Sequence, residues 1–315
     1  MKVKNLDKYF KSQNFKYGEC LYPLERCERK AIKSHSIQNS GTFDLLHSNN
    51  HLYSFRTIHN NSKPELELQL IGRNLASTFL GLCKTHDNLL FEPIDKETID
   101  LSNQKQLFLL AYRSILKEFH ATIEVFGRFD KYYQQEVKQG YRPRTDPQKE
   151  IEYSRLSANT VEMGAFKHEI DLALKEQNYD FMKHEYFIAS VAQPSVACSQ
   201  LFSADSIKYR DDILRIMLNV VPLDEVRTLV LFSSTEGEYT LAKSYWNRCF
   251  MGDEHYQKYE TSKMIIRNCE NFYLKPDFVS KWSEEKKNKI LEYYWSALLR
   301  DEDIYNTEEY YLFDD

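Results

Sequence analysis

The longest apolar pattern in the chain begins at Gln104 and has the period of an α-helix. The positions that carry it are Leu107, Leu110, Ile115, Phe119 and Ile123. Because these positions repeat on one helical face, they predict a long helix that ends near Val137. Residues 140–147 (GYRPRTDP) contain two prolines and predict a break. Residues 148–175 then predict a second long helix.

Shorter segments on both sides of these helices have the patterns of strands. Residues 51–58 and 65–71 predict two strands, and the second alternates acidic or amide side chains with Leu, as a half-buried strand does. A short strand over 77–82 and a helix over 85–91 follow. After the long helices, Val, Ile, Phe and Leu predominate in residues 185–191, 196–202, 214–221 and 229–232. These last four segments predict one antiparallel sheet, and the predicted fold class is α+β.

The predicted elements divide the chain into three parts. Residues 1–95 form a small metal-binding module and residues 96–147 a long-helix connector. Residues 148–315 form a C-terminal α+β domain, in which the sheet is followed by helices over 239–250, 255–270 and 283–299. A chain of 315 residues is long enough to bury a substantial core in this arrangement.

The charge of the chain argues against one class of function. Lys and Arg number 42 against 47 Asp and Glu, and the net charge of -5 does not suit a protein that coats nucleic acid by bulk charge. The distribution is uneven, however, because residues 1–35 hold nine Lys or Arg and four Asp or Glu. This basic segment could contact phosphate, although a solvated surface is the simpler interpretation.

The cysteines and the hydropathy of the chain indicate its setting. The six cysteines do not have the spacing of a disulfide framework, and no N-terminal segment has the pattern of a signal peptide. No run of about 18 apolar residues predicts a membrane span. We therefore expect a reducing, cytoplasmic setting without a membrane partner, where paired cysteines bind metal more often than each other.

Four of these side chains have the chemistry of a structural zinc site. Cys20 and Cys27 form one pair, and Cys83 and His86 form a Cys-x2-His pair at the start of a predicted helix. Three thiolates and one imidazole are a common closed ligand set for Zn²⁺. The gap between Cys20 and Cys27 is longer than the usual two to four residues. The alternative is that Cys20 and Cys27 are free surface thiols and that Cys83 is a core residue.

Residues 27–91 predict a strand, a loop, a strand and a helix that follows Cys83. Together with the segment Lys33-Ser-His35-Ser-Ile and the Cys83-x2-His86 pair, this order resembles HNH-type endonucleases of the ββα-metal class. The resemblance implies that His35 is the general base that activates water, that Asn74 is the positioning asparagine of the loop, and that the cysteine pairs form a structural zinc knuckle. It covers about a fifth of the chain.

The chain departs from the HNH pattern at the metal-binding position of the helix. It has Asp87 where the family has a histidine, and a carboxylate suits Mg²⁺ or Mn²⁺ as the catalytic ion. The leading hypothesis is therefore a metal-dependent HNH-like nuclease that cleaves nucleic-acid phosphodiesters, with DNA expected before RNA. A role in bacterial anti-phage defence would suit such a protein.

Two other functions stay open. The zinc site could belong to a non-catalytic interaction module, with a protein partner bound through the C-terminal domain. Alternatively, Arg113 and His120 lie two helical turns apart on the first long helix and are similar to the Arg-x4–6-His motif of HEPN ribonucleases. That resemblance implies that Arg113 holds the phosphate and His120 transfers protons. No Gly-rich phosphate loop and no Gly-x-Ser-x-Gly motif occurs.

Overall fold

A seven-stranded antiparallel sheet is the centre of the fold. The computed structural model describes residues 15–23, 27–60, 63–140, 147–204, 213–298 and 307–315. The strands of the sheet are β4 (His51–Asn60), β5 (Lys63–Gly72), β7 (Met182–Ser190), β8 (Val196–Ala204), β9 (Leu214–Pro222), β10 (Arg227–Thr235) and β11 (Phe272–Leu274). Their order across the sheet is β5-β4-β11-β8-β9-β10-β7.

The four strands predicted after the long helices are confirmed as neighbours in this sheet, paired antiparallel. The two strands predicted over residues 51–58 and 65–71 also belong to it, because β4 pairs with β5 and with β11, and β11 pairs with β8. The predicted α+β class is therefore correct. The strands come from both sides of the boundaries predicted at residues 95 and 147, so the sheet itself does not divide there.

Helices cover both faces of the sheet. On one face lie α3 (Gln104–Lys138) and α4 (Pro147–Lys175), as predicted. On the other lie α5 (Tyr239–Trp246), α6 (Glu254–Asn268), α7 (Pro276–Val279) and α8 (Glu284–Leu298), and the short α1 (Thr42–Leu46) and α2 (Lys84–Asp95) belong to the N-terminal region. Residues 141–146 of the predicted break lie outside the described residues.

Alternation along the strands explains the two layers of helices. In β9, Ile216 and Leu218 belong to the core shared with α5, α6 and α8, whereas Met217 belongs to the core shared with α3 and α4. Successive side chains of a strand point to opposite faces, so a strand that is apolar throughout is buried on both sides. The helix α3 begins where the Asn103 side chain accepts hydrogen bonds from the first turn of backbone N–H groups.

Two small N-terminal elements differ in length from the prediction, one strand being shorter and one helix longer. The region contains β1 (Glu19–Cys20), β2 (Cys27–Lys30), β3 (Ser34–His35) and β6 (Thr78–Phe79), followed by α2. The strand predicted over 77–82 is thus reduced to two residues, β6. The helix α2 begins after Cys83 and continues past Pro93 to Asp95. Arg113 donates two hydrogen bonds to the carboxylate of Asp95, the last residue of this helix.

We call β1, β2, β3, β6 and α2 the metal-site region. Its two small sheets pair β1 with β2 and β3 with β6. In the described parts of the chain, no helix is both long enough and apolar enough to cross a membrane.

Candidate metal centre

A small hairpin brings two of the predicted ligands together. Cys20 of β1 and Cys27 of β2 are partners in the antiparallel register, so their side chains start from adjacent positions. Backbone hydrogen bonds attach this hairpin to the segment that precedes α2. The N–H of Leu21 donates to the carbonyl of Gly81 at 2.8 Å, and the N–H of Ile32 donates to that of Leu82 at 2.8 Å.

The first turn of α2 supplies the other two ligands. Cys83 is the residue that precedes the helix, and His86 lies three positions later, so both side chains lie on one face. Outside the ligands, Arg29 of β2 donates a hydrogen bond of 2.6 Å to the Thr85 hydroxyl. The hairpin is therefore tied to the helix by its own contacts as well as by the ligand residues.

The four predicted ligands converge on one point. The ligand atoms of Cys20, Cys27, Cys83 and His86 all lie within 4.8 Å of one another. The Cys20 Sγ is 3.4 Å from the His86 Nδ1, and the Cys27 Sγ is 3.9 Å from the Cys83 Sγ. The three cysteines of the cluster form no disulfide. They lie close enough to hold one metal ion.

The local environment shifts the pKa values of the Cys20 and Cys83 thiols in opposite directions. Burial raises the pKa of Cys20 to about 11, against hydrogen bonds from backbone N–H groups that lower it. For Cys83, the cost of burial is outweighed by hydrogen bonds from the His86 and Thr85 backbone and from the neighbouring thiols, which lower its pKa. The N–H of Cys83 also donates to the Cys20 sulfur at 3.2 Å. Such N–H···S contacts stabilise thiolates, the form that binds metal.

An aromatic ring packs on the centre, and a buried polar triad lies in the neighbouring core. The Tyr22 ring stacks on the His86 imidazole at 3.8 Å between centroids, which fixes the orientation of that ring. Between α3 and α4, the Tyr112 hydroxyl donates to one oxygen of Asp171 at 2.6 Å, and the Lys167 ammonium donates to the other at 2.5 Å. The three residues of this triad are each at most 5% exposed.

His35, the predicted general base, lies on β3 opposite Thr78 of β6. Its Nε2 is buried and has no hydrogen-bond partner among the described residues. Burial is the largest influence on its pKa, which is lowered. His35 is therefore a neutral imidazole at pH 7 with one ring nitrogen unpaired.

The other two predicted catalytic residues, Asp87 and Asn74, lie near the neighbours of His35 in the chain or in space. The Asp87 carboxylate lies in the first turn of α2, where burial raises its pKa and the nearby Ser34 hydroxyl and Arg113 guanidinium oppose that shift. Ser34 and His35 are consecutive in a strand and point to opposite sides. Asn74 is exposed and accepts a hydrogen bond from the Asn39 side chain at 3.1 Å.

The only group of three or more potential metal ligands in the described residues is the Cys20 cluster. Asp87 therefore belongs to no group of three or more such ligands among the described residues.

Arg113 and His120 on α3 have separate surroundings. The Arg113 guanidinium forms two hydrogen bonds with Asp95, of 2.9 and 2.7 Å, and lies over the Phe91 ring at 4.0 Å. The His120 Nε2 lies 3.0 Å from the Tyr17 carbonyl, to which it donates. The two side chains line different cavities. This arrangement gives Arg113 a structural partner rather than an open phosphate site.

Two residues of the site region were not predicted from the sequence. Asp95 neutralises Arg113, and Tyr22 covers His86. Tyr22 lies two positions after a predicted ligand, and this proximity was the only signal for it. The Arg113–Asp95 pair had none, because 18 residues separate its members.

Comparison with known protein families, with curated proteins and with solved structures finds no significant match. The function must therefore be argued from the geometry of the chain itself.

Proposed function

We propose that this is a zinc-binding protein in which Cys20, Cys27, Cys83 and His86 hold a structural Zn²⁺. The observation that carries the proposal is the convergence of the four donors. In a tetrahedral site with Zn–S of about 2.3 Å and Zn–N of about 2.05 Å, the sulfur–sulfur edge is about 3.8 Å and the sulfur–nitrogen edge about 3.5 Å. The separations of 3.9 Å and 3.4 Å correspond to these edges.

The proposed centre has a structural role because its ligand set is closed. Three sulfurs and one nitrogen complete a tetrahedron and leave no position for a substrate or a water molecule. The ion would fasten the β1–β2 hairpin to the start of α2. We propose that the region fixed in this way is a non-catalytic interaction module.

Elemental analysis of the purified protein tests this proposal. We expect about one zinc ion per chain, and we expect Cys27→Ser and Cys83→Ser to lose it. Cys249→Ala is the matched control, because Cys249 is also a buried thiol but lies in the core beneath α6, away from the centre. Wild-type protein that contains no zinc and does not take it up would contradict the proposal.

A second candidate, the HNH-like nuclease, is favoured by one observation. The chain order β3, β6 and α2 is that of a ββα unit, with His35 on the first strand and Asp87 in the first turn of the helix. The neutral, unpaired Nε2 of His35 is suited to accept a proton from water. In this proposal Asp87 would hold Mg²⁺ or Mn²⁺, and the ion would stabilise the charge of the scissile phosphate.

Cleavage assays separate the two candidates. A nuclease should degrade plasmid DNA or RNA in the presence of Mg²⁺ or Mn²⁺. His35→Ala and Asp87→Ala should then abolish cleavage while the zinc content stays unchanged. Wild-type protein that cleaves neither substrate with either ion would leave the interaction module as the function.

A further inference from the structure

A basic cleft lies between α3, β4 and the β3–β6 pair. Its volume is about 490 Å³, and it is open to solvent. Five cationic side chains and two carboxylates line it, namely Lys16, Lys33, Arg56, Lys117 and Arg128 with Glu124 and Glu270. The chain as a whole has a net charge of -5. The cleft is therefore a local positive region on an acidic protein.

Among the described residues, most of these cations have no carboxylate partner. Glu124 is occupied by Arg128, whose guanidinium lies 2.5 Å from its carboxylate. Within the described parts of the chain, Lys33, Arg56 and Lys117 form no ion pair, and neither does Glu270. Uncompensated charges of one sign in a cleft raise the local potential and attract ligands of the opposite sign.

The floor and the rim of the cleft are uncharged. On the floor, the Tyr273 hydroxyl accepts a hydrogen bond of 2.6 Å from the Ser77 backbone. Burial lowers the pKa of His120, so that residue is neutral at pH 7. On the rim, the side chains of Leu75 and Val125 are 57% and 48% exposed. Charged walls beside exposed apolar groups suit a ligand that carries both phosphate and an apolar part.

The charged wall draws on distant parts of the chain. Lys33 belongs to the basic segment of residues 1–35, Arg56 lies on β4, and Lys117 lies on α3. Lysine and arginine side chains that project separately along an open cleft can each contact a different phosphate of one strand.

We infer that this cleft binds the phosphate groups of a single nucleic-acid strand. The inference goes beyond the proposed zinc centre, because it concerns side chains that bind no metal. Nor does it require cleavage, since His35 does not line the cleft.

Fluorescence anisotropy with labelled single-stranded DNA and RNA 20-mers tests the inference on zinc-loaded protein. We compare wild type with the triple variant Lys33→Gln, Arg56→Gln and Lys117→Gln. We expect the variant to bind at least about tenfold more weakly at low salt, and the slope of log K against log salt to fall by about 2. The zinc content of each sample is measured first, so that a failure of the metal site is recognised separately.

The matched control is a second triple variant with the same change in charge. Lys131→Gln, Lys138→Gln and Arg267→Gln remove three exposed cations that lie outside the cleft, and their affinity should stay within about twofold of wild type. Equal weakening by both triple variants would overturn the inference, because it would show non-specific attraction. Wild type that binds a mononucleotide, inorganic phosphate or a polyglutamate peptide as tightly as the 20-mers would overturn it also.

Discussion

The metal-site region and the seven-stranded sheet differ in the interactions that stabilise their folded structure. The strands β7 to β10 have nine residues each and form long ladders between two apolar layers. In contrast, β1, β3 and β6 have two residues each. Strands this short are below the length at which pairing alone is stable.

This difference indicates that the metal-site region, unlike the sheet, needs bonds to a metal ion for its stability. The sheet buries apolar side chains on both faces, and their burial is sufficient to order it. The β1–β2 hairpin places only Cys20 and Leu21 in the core beside α3. A hairpin with so little apolar area needs another contribution, and the proposed metal ion would supply it.

Metal removal should therefore separate the two regions, and this is the largest effect we expect. After chelation, protection of the Leu21 and Ile32 amides from hydrogen exchange should fall by about 100-fold or more, because the β1–β2 hairpin is released. Protection of the Val220 and Val230 amides in the central strands should change by less than about threefold. Hydrogen exchange read by mass spectrometry or NMR measures both. Equal loss in both regions would show that the sheet also depends on the metal.

The buried triad between α3 and α4 offers the next test. Asp171→Ala should lower the free energy of unfolding by about 3–5 kcal/mol, because it leaves the buried Lys167 ammonium unpaired and the Tyr112 hydroxyl without its acceptor. Urea denaturation measures the change. The double variant Lys167→Met, Asp171→Leu should lose less than the single variant, since no charge is left without a partner. A double variant less stable than Asp171→Ala would contradict this account.

The sheet should also have a pH dependence that the metal-site region does not cause. His184 of β7 bonds to Ser233 at 2.8 Å, and burial lowers the pKa of His184 to about 4. Between pH 6.5 and 4 the unfolded chain thus binds a proton that the folded chain does not. The free energy of unfolding therefore decreases as the pH is lowered through this range, by up to about 3 kcal/mol.

Denaturation of wild type and His184→Gln at each pH isolates this contribution as a difference. His168→Gln is the control, because His168 is exposed on α4. The two stability curves should converge as the pH falls below 6.5. Parallel curves for wild type and His184→Gln would rule out the role given to His184.

The elements that the sequence predicts well are those with local signals. The helix α3 begins at Gln104 as predicted, because its apolar period is regular and Asn103 can cap it. The ligands of the metal centre were predictable for a similar reason. Thiol and imidazole side chains have few other roles at such spacing, and Cys83 and His86 are adjacent on one turn.

The features that the sequence does not predict depend on distant contacts. The three-residue strand β11 is a strand only because β4 and β8 flank it. Whether His35 faces Asp87 depends on which face of the two-residue strand β3 the His35 side chain occupies. Two residues are too few to show a period in the sequence. Likewise, Arg56 and Lys117 meet in one cleft only after β4 and α3 pack together.

The position of β11 has a consequence for synthesis on the ribosome. This strand connects β4, near the start of the chain, with β8, and no other strand of the described residues contacts both. The β4 edge of the β4–β5 hairpin therefore stays unpaired until residue 274 has been translated and has left the exit tunnel. During that interval the nascent chain exposes an edge that other chains could pair with, and chaperones would have most to protect at this stage.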